Sequence, residues 1–242
     1  MTTHPIDVIT TLVLQKRDEN TLEAAARAVD LRDMRILAGG LAIEGRSDLS
    51  DAHAGAAILN AAGIKADIAL TPVAGRRKTL LICDMDSTLI GQECIDELAD
   101  FAGVKSRVSA ITERAMRGEI GFDGALRERV GLLTDLPLTN LQRCFDERIT
   151  VNPGAKTLVA TMKAHGAKTV IVSGGFTFFS ERVAHTCGFH IHQANILLDD
   201  GKALTGKVAD PILGREAKLD AMLQHSDNGG RRCRQLFLCS YR

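Results

Sequence analysis

The sequence lacks several features that would point directly to a class of function. Its 242 residues include no tryptophan and one tyrosine, and its 30 basic residues are balanced by 30 acidic ones. Proteins that bind nucleic acids usually present stacking aromatics and a basic surface, so the composition argues against that class. No apolar run approaches the ~20 residues that a membrane span needs. The first residues also lack a basic segment followed by an apolar one. We therefore expect no nucleic-acid partner, no membrane association and no signal peptide.

The six cysteines lack the Cys-x-x-Cys spacing of many zinc and redox sites. Scattered cysteines of this kind are typical of buried thiols in a reducing compartment, which predicts a cytoplasmic protein. Apolar residues make up 45% of the chain, enough for a substantial core. The length allows one large domain or two smaller ones.

Residues 1–74 alternate between strand and helix patterns and predict a small α+β domain. Its strand patterns cover residues 8–14, 34–37, 41–44 and 67–72, and its helix patterns cover 21–29 and 49–62. Asn20 or Thr21 is the expected cap of the first helix, and Gly39-Gly40 predicts a hairpin. The order β-α-β-β-α-β is the ferredoxin-like pattern.

Residues 75–242 predict a second domain, a doubly wound parallel sheet of the Rossmann-like α/β class. The expected strands lie at 80–83 and 168–173, and a hairpin is expected at 194–208. The expected helices lie at 154–165, 176–187 and 214–224. Helical patterns fill about 94–150, directly after the first strand. A helical segment in that position suits a cap that closes over a site.

Acids and hydroxyls follow the first strand of this domain, in Asp84-Met85-Asp86-Ser87-Thr88. Charge at the end of a buried strand is costly unless it is paired, and ligands bind at the carboxyl ends of parallel strands. Asp84 is therefore a candidate nucleophile and Asp86 a candidate general acid and base, both able to bind Mg²⁺. Two alternatives remain. The segment could serve merely as a helix cap, or Ser87 could be the nucleophile, although no histidine adjoins it.

A second polar turn ends the strand at 168–173. A hydroxyl and a bare backbone N–H, from Ser173 and Gly174, lie where a helix begins, and this suits phosphate oxygens. An ordinary strand-to-helix turn is the alternative. Lys218, on the last predicted helix, would by itself be read as a solvated charge.

The pattern Asp-x-Asp-x-Thr at 84–88 resembles the first motif of the haloacid dehalogenase-like phosphohydrolases. Residues 89–99, Leu-Ile-Gly-Gln-Glu-Cys-Ile-Asp-Glu-Leu-Ala, are similar to the phosphoserine phosphatase branch of that family, and the likeness runs from about 78 to 218. The resemblance implies Mg²⁺-dependent hydrolysis of O-phospho-L-serine to L-serine and phosphate, in serine biosynthesis, through an aspartyl phosphate. A phosphatase or phosphotransferase for another small phosphoester, and a non-catalytic chain that retains the fold, remain open.

The resemblance also implies roles for residues that would otherwise be read as surface charges or core side chains. It makes Lys218 the cation that neutralises the phosphoaspartate, in preference to Lys202 or Lys207. It makes Glu93 the partner of the substrate ammonium and Arg129 the bidentate partner of its carboxylate. By the same resemblance, the apolar lid comprises Met116 and Phe122.

The family's fourth motif, Gly-Asp-Gly-x-Asn-Asp, does not occur after Gln224. Asp227 and Asn228 follow the preceding helix too soon to replace it. We therefore expect weakened Mg²⁺ binding and a sheet without its closing strand and helix.

The first domain is similar to the ACT-type domains that often precede bacterial members of this branch. It could bind an amino acid or assemble a homodimer. The structural role is favoured because no site motif occurs there.

Overall fold

The computed structural model describes residues 7–214, residues 216–225 and the backbone of residues 236–239. These residues divide into two compact units between Arg76 and Arg77. Across the described ranges, no helix combines the length and the apolar character that crossing a bilayer requires.

The first unit is a four-stranded antiparallel sheet with two helices, in the element order that the sequence predicts. The elements are β1 (Val8–Leu14), α1 (Glu19–Ala28), β2 (Arg32–Ala38), β3 (Ala42–Arg46), α2 (Ala52–Ala61) and β4 (Ala66–Pro72). The strand order is β2-β3-β1-β4, so β1 is central and β2 lies at an edge. Leu12, Leu22 and Leu59 are fully buried between the sheet and the helices.

Aspartates begin both helices of this unit. The Asp18 carboxylate accepts a hydrogen bond from the Thr21 backbone N–H at 3.1 Å, and Asp51 accepts one from Ala54 at 2.9 Å. These bonds satisfy donors that a helix leaves unpaired in its first turn. The expectation that Asn20 or Thr21 caps α1 is therefore wrong, because the helix begins earlier, at Glu19.

The second unit has a four-stranded parallel sheet with helices on both faces, four helices inserted after the first strand of that sheet, and a separate two-stranded antiparallel hairpin. The strands are β5 (Leu80–Cys83), β6 (Lys168–Phe176), β7 (Ile191–Asn195), β8 (Leu197–Asp199), β9 (Leu204–Val208) and β10 (Leu236–Cys239). The helices are α3 (Cys94–Phe101), α4 (Lys105–Met116), α5 (Phe122–Gly131), α6 (Leu138–Arg148), α7 (Ala155–Ala164), α8 (Thr177–Cys187) and α9 (Ala217–His225).

Side chains of β5 and β6 alternate between two apolar cores, one on each face of the sheet. Leu81 and Ile171 belong to the core that includes residues of α7 and α8. Ile82 and Val170 belong to the core that includes residues of α9. Strands buried on both faces explain the continuous apolar runs in the sequence.

The expectation that the sheet lacks a closing strand is wrong. β10 pairs in parallel with β5, from Leu236 opposite Leu80 to Cys239 opposite Cys83. Every residue of β5 is buried, and buried backbone groups need hydrogen-bond partners along both edges of the strand. The run Leu-Phe-Leu-Cys suits a buried strand, but four residues beside several arginines are a weak sequence signal.

β7 is a second strand that the sequence pattern does not reveal. Only the hairpin from residue 194 is expected there, and that hairpin is present as β8 and β9. His192 and Gln193 interrupt the apolar pattern of β7, which pairs in parallel with β6 at the edge of the sheet. Polar side chains are tolerated there because both are only partly buried.

The two chain segments that connect the cap, α3–α6, to the sheet run side by side. Ile90 and Val151 form an antiparallel bridge, and the Gly91 N–H donates to the Thr150 carbonyl at 3.1 Å. The Asn152 amide donates to the backbone carbonyl of residue 88 at 2.8 Å. These bonds hold the entry and exit of the cap together.

Four cysteines within the described residues are buried free thiols: Cys83, Cys94, Cys144 and Cys187. Burial raises the pKa of the Cys144 thiol to about 12, so this side chain stays protonated. The cytoplasmic location remains a prediction.

Candidate active site

A single cavity at the carboxyl ends of β5 and β6 brings together every site residue that the sequence predicts. Its volume is about 880 Å³, and its walls come from the end of the sheet and from the cap. The predicted residues that line it are Asp84, Asp86, Glu93, Met116, Phe122, Arg129, Ser173, Gly174 and Lys218.

Asp84 is the first residue after β5, and its carboxylate is paired with Lys218. The Lys218 Nζ lies 2.6 Å from Asp84 Oδ2, and the Met85 N–H donates to Asp84 Oδ1 at 2.9 Å. Lys218 stands in the first turn of α9. A lysine in this position offsets the negative charge of the carboxylate.

Asp86 is held by two hydrogen bonds in a desolvated position. Its Oδ1 accepts from the Cys94 N–H at 2.9 Å, and its Oδ2 accepts from the Ser173 hydroxyl at 3.3 Å. Burial raises the pKa of this carboxyl to about 6, and the negative charges of Glu93 and Asp84 add to the rise, while the bonds from Cys94 oppose it. A carboxyl with this pKa can both give and take a proton near neutral pH.

Residues 173–175 form a bulge in β6, just in front of α8. The pairing of β6 with β7 shifts between Val172 and Phe176, which leaves three residues of β6 opposite one of β7. The Gly175 N–H donates to the Ser173 hydroxyl at 2.9 Å. This bulge lies at the positive end of α8, where anions are favoured, and therefore differs from a simple strand-to-helix turn.

Ser87 is bonded to Glu93 and is poorly suited to act as a nucleophile. Its hydroxyl donates to Glu93 Oε1 at 2.7 Å. Ser87 has a φ of 51°, a left-handed conformation that is uncommon outside glycine. None of the described residues that line the cavity is a histidine that could accept the serine proton.

Arg129 points a partly buried positive charge into the cavity from α5. Its Nε donates to the Ala125 carbonyl at 3.2 Å and its Nη1 to the Thr112 hydroxyl at 3.4 Å. Burial lowers the pKa of the guanidinium, and the negative charges of Asp96 and Glu93 act in the opposite direction. The guanidinium lines the cavity, where a positive charge suits an anionic ligand.

Met116 and Phe122 lie at the facing ends of α4 and α5, and their side chains are 77% and 43% exposed. Phe122 packs against two glycines below the cap. A Cβ added at Gly174 would lie 3.1 Å from Phe122 Cζ, and one added at Gly214 would lie 3.6 Å from Phe122 Cδ1. The bare backbone at both positions gives the ring its space over the cavity.

The oxygen donors of the cavity fit a magnesium ion of the kind found in phosphate sites. Mg²⁺ is commonly held by one or two carboxylates, with phosphate oxygens and water completing its shell. The Asp84 carboxylate and the Asp86 backbone carbonyl are candidate donors, although the residues that the structure describes contain no group of three or more His, Cys, Asp or Glu suited to a metal. Asp227 and Asn228 lie outside the described residues.

Two polar residues of the site region are not indicated by the sequence analysis. Asn195, at the end of β7, bonds the backbone of Gly174 and Leu213, and Asn152 bonds the backbone of residue 88. A buried amide at a strand end would have been the signal for Asn195, but β7 itself is not visible in the sequence pattern.

The fold and the cavity define a class of protein: a parallel α/β sheet with a helical cap inserted after the strand that carries the first acidic pair. The profile of the haloacid dehalogenase-like hydrolases matches residues 81–232, which is more than half of the chain. The protein belongs to this family.

Proteins similar to this chain include several named phosphoserine phosphatases. The one from Albidiferax ferrireducens is 48% identical over 136 residues, 56% of this chain and 57% of its own length. The one from Archaeoglobus fulgidus is 46% identical over 154 residues, 63% of this chain and 44% of its own length. The chain thus spans about half the length of these relatives.

A solved structure extends the similarity to nearly the whole chain. The unliganded probable phosphoserine phosphatase from Vibrio cholerae superposes with a TM-score of 0.74 at 28% identity. The match covers 98% of this chain and 74% of that one. The fold of both units therefore has a counterpart in one solved protein.

Proposed function

We propose that this protein hydrolyses O-phospho-L-serine to L-serine and phosphate, with Asp84 as the nucleophile. The observation that carries the proposal is the 2.6 Å contact between Lys218 Nζ and Asp84 Oδ2, at the end of a buried strand and beside Asp86. The names of the relatives support the choice of substrate.

In the first step, an oxygen of the Asp84 carboxylate attacks phosphorus and the bond from phosphorus to the serine oxygen breaks. Asp86 donates its proton to the leaving oxygen, so serine departs as an alcohol. The pKa of Asp86, raised to about 6, supports this role because an ordinary aspartate would be almost wholly ionised at neutral pH.

In the second step, Asp86 is ionised and accepts a proton from water. The water oxygen attacks phosphorus of the aspartyl phosphate, the bond from phosphorus to the Asp84 oxygen breaks, and inorganic phosphate leaves. Lys218 offsets the charge on the transferring group in both steps. Ser173 donates its proton to Asp86 in the structure, so its hydroxyl must rotate to donate to phosphate.

Mg²⁺ is the proposed cofactor, and the Asp84 carboxylate and the Asp86 backbone carbonyl would hold it. When bound, the ion would reduce the repulsion between the carboxylate and the phosphate dianion. We expect a chelator to abolish phosphate release and added Mg²⁺ to restore it.

The charges of the cavity support phosphoserine over other phosphoesters. Glu93 supplies a negative charge for an ammonium group, and Arg129 supplies a positive charge for a carboxylate. Phosphate, ammonium and carboxylate thus each meet an opposite charge, while Met116 and Phe122 cover the substrate from the cap.

Phosphate release tests the proposal directly. The chain is incubated with Mg²⁺ and phosphoserine, phosphothreonine or a sugar phosphate, beside an Asp84→Asn variant. We expect the native chain, but not the Asp84→Asn variant, to release phosphate from phosphoserine. Equal release by the two proteins would contradict the enzymatic proposal, and faster release from a sugar phosphate would favour another small phosphoester as substrate. Trapping with beryllium fluoride should place the adduct on Asp84.

We also propose that the first unit is an ACT-type domain with a structural role, the assembly of a homodimer. Support comes from β2, an edge strand on which Met34 and Ile36 are 58% and 66% exposed. Light scattering tests this: a mass of two chains is expected, and a Met34→Lys/Ile36→Lys variant should be monomeric. A monomeric native chain would contradict the proposal.

A further inference from the structure

We propose that Asn195 is a positioning residue that holds the bulge at residues 173–175 and the segment before Lys218 in fixed positions relative to each other. The inference deepens the proposed function and rests on it. Asn195 touches none of the reacting groups directly. It acts through the backbone of Gly174 on one side and of Leu213 on the other.

The side chain of Asn195 is 2% exposed and makes three hydrogen bonds to backbone. Its Nδ2 donates to the Gly174 carbonyl at 2.9 Å and to the Leu213 carbonyl at 3.3 Å. Its Oδ1 accepts from the Leu213 N–H at 2.8 Å. Both amide hydrogens donate and the amide oxygen accepts. Only one orientation of the buried amide satisfies all three hydrogen bonds.

The position of Asn195 in the sheet explains why these bonds matter. Asn195 pairs with Phe176, directly after the three-residue bulge of β6 that holds Ser173 and Gly174. A bulge lacks part of its ladder hydrogen bonds, so its backbone needs other partners. The Asn195 amide supplies one at Gly174, the residue expected to present its N–H to phosphate.

The same amide reaches the segment that leads to Lys218. Leu213 lies four residues before Ala217, the first residue of α9, and Lys218 follows. The Leu213 carbonyl would be 3.9 Å from a Cβ at Gly174, so the two segments are adjacent. The Asn195 side chain thus sets the spacing between the bulge at residues 173–175 and α9, the helix that carries Lys218.

Asn195→Asp tests the proposal with almost no change in volume. The carboxylate can still accept from Leu213 but turns an oxygen toward the Gly174 and Leu213 carbonyls, where the amide donated. We expect affinity for inorganic phosphate, measured by calorimetry, to fall about tenfold or more, the range of a lost buried hydrogen bond. The KM for phosphoserine should rise in parallel. Asn195→Ser, which leaves room for a bridging water, should show a smaller loss.

Thr169→Val is the matched control. Thr169 is a fully buried polar residue of the same sheet, and its hydroxyl bonds His190 at 3.0 Å at the opposite end of β6. We expect Thr169→Val to lower the melting temperature as Asn195→Ser does, with unchanged phosphate affinity and KM.

Two results would overturn the inference. One is native phosphate affinity in folded Asn195→Asp, or in Asn195→Ser if the aspartate variant does not fold. The other is an equal loss of phosphate affinity in Thr169→Val, since that would reduce the effect to general destabilisation. Phosphate binding without phosphoserine hydrolysis by the native chain would contradict the proposed function but leave this test intact.

Discussion

Gly175 lies so close to Asp86 that no side chain fits between them. A Cβ added at Gly175 would lie 2.4 Å from Asp86 Oδ2 and 3.1 Å from the Ser173 hydroxyl. Asp86 cannot move aside freely, because Cys94 and Ser173 both donate to its carboxylate. Asp86, 89 residues earlier in the chain, thus requires a glycine at position 175.

Gly175→Ala should therefore displace the proposed general acid. We expect kcat for phosphoserine to fall about 10²-fold or more, the usual contribution of a positioned acid or base. Overpacking should also cost about 1–3 kcal/mol in the free energy of unfolding.

Gly124→Ala is the matched control for this substitution. A Cβ at Gly124 would meet no atom within 4 Å, and its φ is not positive. Unchanged kcat and a small gain in stability are expected there, because alanine favours the helix by up to about 1 kcal/mol over glycine. Native kcat in Gly175→Ala would show that Asp86 can relocate without loss.

Lys218→Ala should remove the charge that faces Asp84. Loss of a preorganised positive group costs about 10²–10³-fold in kcat at comparable sites, and we expect a loss of that size here. Both side chains are partly exposed, so the loss of stability should be small. Lys207→Ala, which removes an exposed lysine of β9, should leave kcat unchanged. A similar loss in both variants would argue against a specific role for Lys218.

Asp86 should reduce the stability of the folded protein at neutral pH. Its folded pKa of about 6 lies above its unfolded value, so the folded state binds the proton more tightly and loses stability as the pH rises from about 4 to above 6. The full loss is about 3 kcal/mol on the usual scale of 1.4 kcal/mol per pKa unit. Asp86→Asn stays neutral at every pH and should avoid this loss.

Urea unfolding with a chelator present measures the effect. The difference in unfolding free energy between Asp86→Asn and the native chain should grow by up to about 3 kcal/mol between pH 4 and pH 8. Asp123→Asn, at an exposed position on α5, controls for the removal of a charge. A difference that does not change with pH would contradict the raised pKa. The variant should also lose phosphate release.

The sequence predicts those parts of the fold in which one pattern determines one element. β1 has the predicted bounds, because a β-branched apolar run between polar segments fits only a strand. β7 is not predicted, because His192 and Gln193 are tolerated at an edge but break the pattern. β10 is not predicted because four apolar residues do not distinguish a strand from a loop.

The site could be predicted as far as its residues adjoin recognisable motifs. The structure places all nine predicted residues around one cavity. Asn195 could not be found in this way, because its partners Leu213 and Gly174 lie 18 and 21 residues away along the chain. Only the folded arrangement brings the three together.

Arg129 should determine selectivity between phosphoserine and a substrate without a carboxylate. Phosphoethanolamine retains the phosphate and the ammonium group, so it lacks only the partner proposed for Arg129. Loss of a charged hydrogen bond of this kind costs about 1.5–3 kcal/mol, or roughly 10- to 200-fold. Arg129→Ala should therefore lower kcat/KM for phosphoserine by about that factor and leave kcat/KM for phosphoethanolamine nearly unchanged.

Arg127→Ala is the control for this measurement, because Arg127 lies on the same helix but is exposed and paired with Asp210. Arg127→Ala should leave kcat/KM unchanged for both substrates. Arg129→Lys should recover only part of the selectivity, since a lysine cannot form the paired hydrogen bonds of a guanidinium with a carboxylate. Equal losses of kcat/KM for phosphoserine and phosphoethanolamine in Arg129→Ala would mean that the arginine stabilises the cap and does not bind the substrate carboxylate.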